Sequence, residues 1–307
     1  MILTRPFFVE LKKAFPNAMV TISVLDHYMR GIPGDLVDKI HVVHRADKHQ
    51  HSLKEKIRNL RELGNHDIIF DLADTSRSLL LCLLNKAQLK IGFPYRSVYR
   101  YLLYDAAIFR SDLIFEADLL LHALNLLGIS TSFPPDFGMT GTPCLQDSPY
   151  LVYFAGASTP LKRWPPENFK ALLFEMSGAY PEYEHIILKG IGDKEAFTEI
   201  FEAFEDRLNI KSVEIDKLEK TIAFIQGATM VISNDTGIRH VSIAVHTPTV
   251  GIFFGKEKGS TQPYRYWPRY GNHEIVFNLD GTPPSAEKVF AAATTTMATI
   301  QRVSDPC

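Results

Sequence analysis

A chain of 307 residues with 46% hydrophobic and 22% charged residues is long enough for two domains and apolar enough to bury ordinary cores. Its net charge of -2 leaves no bulk-charge argument for nucleic acid, and no apolar run reaches the length of a membrane-spanning helix. Three widely spaced cysteines, Cys82, Cys144 and Cys307, form no Cys-x-x-Cys pair, and the N-terminus turns amphipathic and basic within a few residues, so the expectation is a reducing, cytoplasmic setting. Along the chain, Phe7, Phe8, Leu11 and Phe15 recur at helical spacing opposite Lys12 and Lys13, with Thr4 as a candidate cap and Pro6 in the first turn. Strands are expected at 18–25, 66–73 and 89–93, and helices at 53–63 and 76–84. That alternation is the pattern of a parallel α/β sheet.

The segment 133–149 is rich in Pro, Gly and Ser and reads as a linker, giving domains at 1–140 and 150–307. In the second half, strands are expected at 150–156, 184–190, 229–233 and 249–255. Helices are expected at 165–180, 193–204, 218–228 and 285–301, and the last can pack back on the first domain.

Three loops after these strands carry candidate ligand groups, and in an open parallel sheet ligands bind at the carboxyl ends of strands. In "NDTGIRH" the first turn of a helix starting near Ile238 offers unpaired N–H groups and the positive end of a dipole. Thr236 adds a hydroxyl, Gly237 lets a phosphate approach the backbone, and His240 sits a turn further on. Asp235 either faces a sugar hydroxyl or caps the helix over a buried His240. In "GASTPLKRWPPENF", small residues Gly156, Ala157 and Ser158 precede Lys162 and Arg163, a point charge and a fork suited to a diphosphate or a solvated cation pair. In "KGIGDKEAF", Asp193 and Glu195 either bind ribose hydroxyls or serve the next helix, Asp193 as its cap.

"GASTPLKRWPPENF" together with "SNDTGIRHVSIAVHTPTVGIFFG" resembles the family 9 glycosyltransferases, whose members include the ADP-heptose:lipopolysaccharide heptosyltransferases. The likeness is strong over 154–255 and extends more weakly to "TRPFFVELKKAFPNA", "HDIIFDLADTSRSLL" and "KIGF". It implies a GT-B architecture, two Rossmann-like domains facing across a cleft, with the donor held by the second. It also implies donor contacts from Ser158, Lys162, Asp193 or Glu195, Asp235, Thr236, Gly237 and His240, with Lys162 at the leaving phosphate. No metal and no cofactor is implied, since cations and helix dipoles stabilise the departing diphosphate. The implied reaction moves a heptose from ADP-heptose to the lipopolysaccharide inner core with inversion. The alternatives are a nucleotide-binding member impaired in catalysis, a transferase for another nucleotide sugar, or another GT-B enzyme such as an epimerase, against which the local, continuous likeness argues.

Seven Lys/Arg between Lys39 and Arg61, with Arg77, Lys90, Arg96 and Arg100, suit an anionic acceptor, although the 39–61 run is first read as a solvated helical face. His41, His44, His49 and His51 lack the spacing of a metal site. The stretch around Tyr99–Phe109 is expected in the core, the other reading being contact with the inner-membrane interface. Family members begin with a strand and a Gly-Asp loop whose Asp is the general base. Aligned by Pro6, this sequence starts after that Asp, so the first strand of the first domain is expected to be missing. Two strands would then lack a partner, the native protein would be longer, and the 307 residues would bind nucleotide but transfer sugar poorly. Asp26, Asp71 and Asp74 are weak substitutes, so the base is unassigned.

Overall fold

In a computed structural model, the structure describes residues 1–307 except 26–30, 45–50, 74, 94–101, 140, 158, 191–199, 201, 205, 256–261 and 305–307, together with the side chains of 262, 303 and 304. Two units divide it, Met1–Gly138 and Met139–Cys307.

The first unit opens with a 3-10 turn, Ile2–Thr4, that runs into α1, Arg5–Ala14. Thr4 stands at the N-cap of α1 as expected, but its side chain makes no capping bond. Its hydroxyl donates to the Met1 carbonyl at 2.6 Å, because the 3-10 turn already leads the chain into the helix. Strands β1, Thr21–Leu25, and β2, Lys39–Val43, pair in parallel with Thr21 opposite Lys39. Helix α2, Leu53–Arg61, starts from a Ser52–Glu55 capping box, and α3, Ser76–Leu84, from a Thr75–Ser78 box. Between and after them β3, His66–Asp71, β4, Ala87–Gly92, and β5, Ala106–Ala107, form a second parallel sheet, followed by α4, Glu116–Asn125.

Alternation along β1 feeds two cores. Ile22 and Val24 join Phe7 and Phe8 of α1, Ile91 of β4 and Leu119–Leu121 of α4, while Leu25 packs with Val43, Leu60 and Leu81. Phe7 also meets Phe70 of β3 edge-on at 5.0 Å. Both sheets therefore lie under α1, yet no ladder joins them among the described residues, and β1 and β3 each end a sheet. The unit is a Rossmann-like α/β layer in which no described strand pairs with both.

The 39–61 run is not one helical face. Its first five residues are β2, with His41 buried: Nδ1 meets Ser23 Oγ at 2.8 Å and Nε2 meets the Asn59 carbonyl at 2.9 Å. His44 and His51 stack at 4.0 Å, and His49 lies outside the described residues. Nor is the stretch near Tyr99 simply core. Tyr104 is buried, but Leu102 is 86% and Phe109 73% exposed, because only one side of this short segment meets β4 and α3. Tyr99, Arg96 and Arg100 lie outside the described residues.

The second unit carries one six-stranded parallel sheet: β6, Tyr150–Phe154; β7, Glu184–Lys189; β8, Ile210–Glu214; β9, Met230–Asn234; β10, Thr249–Ile252; and β11, His273–Val276. Its order is β11-β10-β9-β6-β7-β8. Helices α5, Pro166–Ala179, α6, Leu218–Gly227, α7, Gly237–Ala244, and α9, Ala286–Ser304, cover it, with a single turn, α8, at Gln262–Arg265. The expected helix at 193–204 falls mostly outside the described residues. β6 and β9 are buried at every position, as parallel strands covered on both faces must be. Helix α9 packs into this unit's core through Val289, Ala293 and Met297, beside Leu172 and Met176 of α5.

Candidate functional site

The sheet order reverses direction between β6 and β9, the first and fourth strands of the unit, and in such sheets the crevice outside that reversal is where ligands bind. The register sets Phe154 beside Ser233, so the loops after both strands leave the sheet together. Asn234 ties them: its Nδ2 donates to the Ala155 carbonyl at 2.7 Å, and its Oδ1 accepts from the Trp164 N–H at 3.3 Å. Trp164 is buried, donates from Nε1 to the Pro284 carbonyl at 2.8 Å and meets Phe169 edge-on. Held at both ends, the loop forms a 3-10 turn, Pro160–Lys162, that presents Lys162.

Lys162 Nζ donates to Asp235 Oδ2 at 2.6 Å, with the side chains 34% and 8% exposed. Lys162, expected to be exposed, is instead about one-third exposed in an ion pair, because the neighbouring loop brings a carboxylate within reach. Burial opposes ionisation of Asp235, but the fields of Arg239 and Lys162 and the lysine hydrogen bond outweigh it and hold the carboxyl below its ordinary range.

Thr236, not Asp235, is the N-cap of α7, and its side chain makes no capping bond; Thr236 Oγ1 lies 3.3 Å from Ser233 Oγ. The first-turn N–H groups of α7 are thus uncapped by side chains. Gly237 is exposed, and a Cβ built there meets nothing within 4 Å. No neighbour in the fold requires that glycine. Gly156 differs: a Cβ there would stand 2.5 Å from the Phe154 ring, so packing alone demands it. Arg163, expected as a fork for phosphate, turns back on its own loop and donates to the Ala157 carbonyl at 3.3 and 3.4 Å.

His240 is partly buried with Nδ1 enclosed and without a hydrogen-bond partner among the described residues. Its ring lies 5.7 Å from that of Tyr266. Burial first, then the Arg239 guanidinium, pushes its pKa down to about 3, so at neutral pH it offers a hydrogen bond rather than a charge. Ser158, Asp193, Glu195, Asp26 and Asp74 lie outside the described residues. Asp71, the remaining candidate base, accepts from Tyr104 Oη at 2.6 Å and from the Ala73 N–H at 3.0 Å. Among the described residues no group of three or more His, Cys, Asp or Glu side chains could hold a metal ion.

Sequence reasoning gave no role to Asn234, Trp164, Arg239 or Tyr266. The first three stand inside the quoted motifs, where their position was visible but their partners were not. Tyr266 gave no signal, since it comes to the site from a separate loop.

Comparison with known proteins places the chain in a family. The model of "Glycosyltransferase family 9 (heptosyltransferase)" matches residues 53–280. The lipooligosaccharide heptosyltransferase 2 of Haemophilus influenzae is 27% identical over 142 residues, 45% of this chain and 39% of that protein. The lipopolysaccharide heptosyltransferase 2 of Salmonella typhimurium is 25% identical over 190 residues, 59% of this chain and 52% of that protein. The chain thus spans about half the length, or less, of these curated relatives. Of solved structures, E. coli heptosyltransferase WaaC with ADP superposes with a TM-score of 0.73 at 19% identity, covering 96% of this chain and 95% of that one. That likeness fixes the fold as that of the GT-B heptosyltransferases, and the family match covers most of the chain, so the chain belongs to glycosyltransferase family 9, the heptosyltransferase family.

Proposed function

We propose that this chain transfers a heptose from ADP-heptose to a sugar of the lipopolysaccharide inner core, with inversion. The segment 150–307 is the donor domain and 1–140 the acceptor side. The observation that carries the reading is the bare Gly237 at the uncapped first turn of α7, next to the Lys162–Asp235 pair. A glycine there weakens the helix and satisfies no internal contact, and what it leaves open is an approach to backbone N–H groups at a positive dipole. A diphosphate fits that chemistry. WaaC, the fold relative, was solved with ADP, which favours an adenosine diphosphate.

In the reaction the acceptor hydroxyl attacks the anomeric carbon from the face opposite the diphosphate. The anomeric C–O bond breaks, ADP leaves with the electron pair, and the hydroxyl proton passes to a general base that is not assigned. Lys162, the α7 dipole and hydrogen bonds from Thr236 and His240 stabilise the charge that builds on the leaving diphosphate. Ser158 joins the diphosphate contacts, and Asp193 or Glu195 the ribose or sugar hydroxyls. Exposed Lys54, Arg58 and Arg61 on α2 favour an anionic acceptor. Exposed Leu102 and Phe109 favour a peripheral position at the inner membrane, on the cytoplasmic side. Among the described residues no helix is long and apolar enough to cross a membrane.

A second reading, a member that binds nucleotide but transfers poorly, is favoured by Asp71, whose two carboxylate oxygens are both engaged inside the first unit. Calorimetry with ADP, followed by ADP release from ADP-heptose with and without a lipid A acceptor bearing anionic core sugars, separates the two. Acceptor-dependent release supports transfer; binding without it supports the second reading; absence of ADP binding removes both. Thermal shifts with ADP-, UDP- and GDP-sugars test the donor.

A further inference from the structure

Arg239 is the charged residue this reading leaves unused. It is 1% exposed. A guanidinium in the interior is destabilising unless its five donors find acceptors. Here Nη1 donates to the Tyr266 carbonyl at 2.8 Å and the guanidinium lies 4.8 Å from the centre of the Phe253 ring, while Nε and Nη2 find no partner among the described residues. The sheet makes room for it: a Cβ at Gly251 of β10 would stand 2.6 Å from Arg239 Cδ. The fold thus makes room for a cation that it does not fully bond.

What the cation faces gives the reason. Asp235 lies just ahead of α7 and takes its hydrogen bond from Lys162, while Arg239, in the first turn of the same helix, forms no ion pair with it and adds a second positive field. The carboxylate is subject to two cations of different freedom. Lys162 is one-third exposed and reaches Asp235 from a loop; Arg239 is enclosed and pinned by Tyr266 and Phe253. A lysine bound to a carboxylate cannot serve a phosphate without stranding a buried negative charge.

We propose that Arg239 is a positioning residue, a fixed countercharge that lets Lys162 leave Asp235 for the diphosphate of the incoming donor. It touches no donor atom. Lys162 moves, Arg239 stays, and Asp235 keeps a cation in both states. This rests on the donor reading above.

The test is ADP affinity, by calorimetry, in the wild type, R239M, D235N and R239M/D235N, with R239K as the charge-keeping control. ADP carries no heptose, so contacts of Asp235 with the sugar do not enter. R239M leaves Lys162 held by Asp235, and affinity falls roughly tenfold or more, the scale of one charge-assisted contact. R239K stays close to the wild type. R239M/D235N, with neither the buried cation nor the carboxylate, frees Lys162 and recovers most of the loss. A purely structural arginine gives no such rescue: the two losses then add, and the proposal is overturned. It is equally overturned if R239M binds ADP like the wild type, in which case the donor site itself stands. If the wild type does not bind ADP, the donor reading fails and this proposal with it. Should R239M not fold, R239Q, which keeps a donor for the Tyr266 carbonyl without the charge, takes its place in the same comparison.

Discussion

Lys162 and Asp235 are 73 residues apart in sequence and 2.6 Å apart in space, because β6 and β9 are neighbours and each residue follows the end of its strand. The pair couples the two loops of the proposed donor site. Lys162→Ala should lower turnover by about a hundred- to a thousand-fold, the range for removing one group that stabilises a leaving charge. Stability should fall by only about 1 kcal/mol, since Lys162 is partly solvated and the field of Arg239 still favours the ionised carboxylate. Steady-state rates set beside a melting curve check this. A melting drop of the size seen for a core cavity would mean the pair is structural.

Gly237→Ala should act in opposite directions on fold and ligand. Alanine is the better helix former by about 1 kcal/mol or less, and the new methyl meets no neighbour, so the free protein should melt slightly higher. The same methyl stands where a phosphate would approach the backbone, and ADP affinity should fall. Unchanged affinity would show that the phosphate lies elsewhere.

How much of this was readable in the sequence depended on burial. β1, β3, β4, β6, β7, β9 and β10 announce themselves as apolar runs bounded by turn residues. β2, β5, β8 and β11 went unrecognised, and each lies at the edge of its sheet. Edge strands are short and carry polar residues that guard against pairing with other chains, as Lys211 and Glu214 of β8 and Glu274 of β11 do here, so their pattern is weak. The candidate-site motifs stood out because strand, small residues and helix start follow one another along the chain. The Lys162–Asp235 contact and the close approach of Arg239 to Gly251 did not, since both depend on which strands become neighbours.

Thr236→Ala with His240→Ala should weaken ADP binding, and the histidine adds a pH signature to the fold. Burial and Arg239 push His240 down to about 3, and burial pushes His273 to about 4. Between these values and the ordinary histidine range the unfolded chain binds more protons than the folded one, so stability rises with pH there and is lost as the solution is acidified below about 6.5. His240→Ala should flatten part of that slope. Melting temperatures at pH 5 and pH 7.5 for both proteins measure it, and an unchanged slope would show that His240 titrates normally.

The first unit contains a group with the opposite sign. Asp118, in the first turn of α4, is raised to about 6 by burial alone. A carboxyl raised in this way makes the folded state bind more protons than the unfolded state between the ordinary carboxylate range and about 6. Stability therefore rises as pH falls through that window, and at neutral pH the charged form is a burden. The dipole of α4 offsets some of it, and partial solvation screens more. Asp118→Asn should stabilise the first unit at pH 7.5 by about 1 kcal/mol, allowing for that screening, with the gain shrinking below pH 6 and gone near pH 4. Hydrogen exchange of the α4 amides, compared with those of β6 and β9, reads the first unit separately from the second. The idea fails if the substitution changes α4 protection equally at pH 4.5 and pH 7.5, since a pH-independent effect would come from packing rather than from the buried charge.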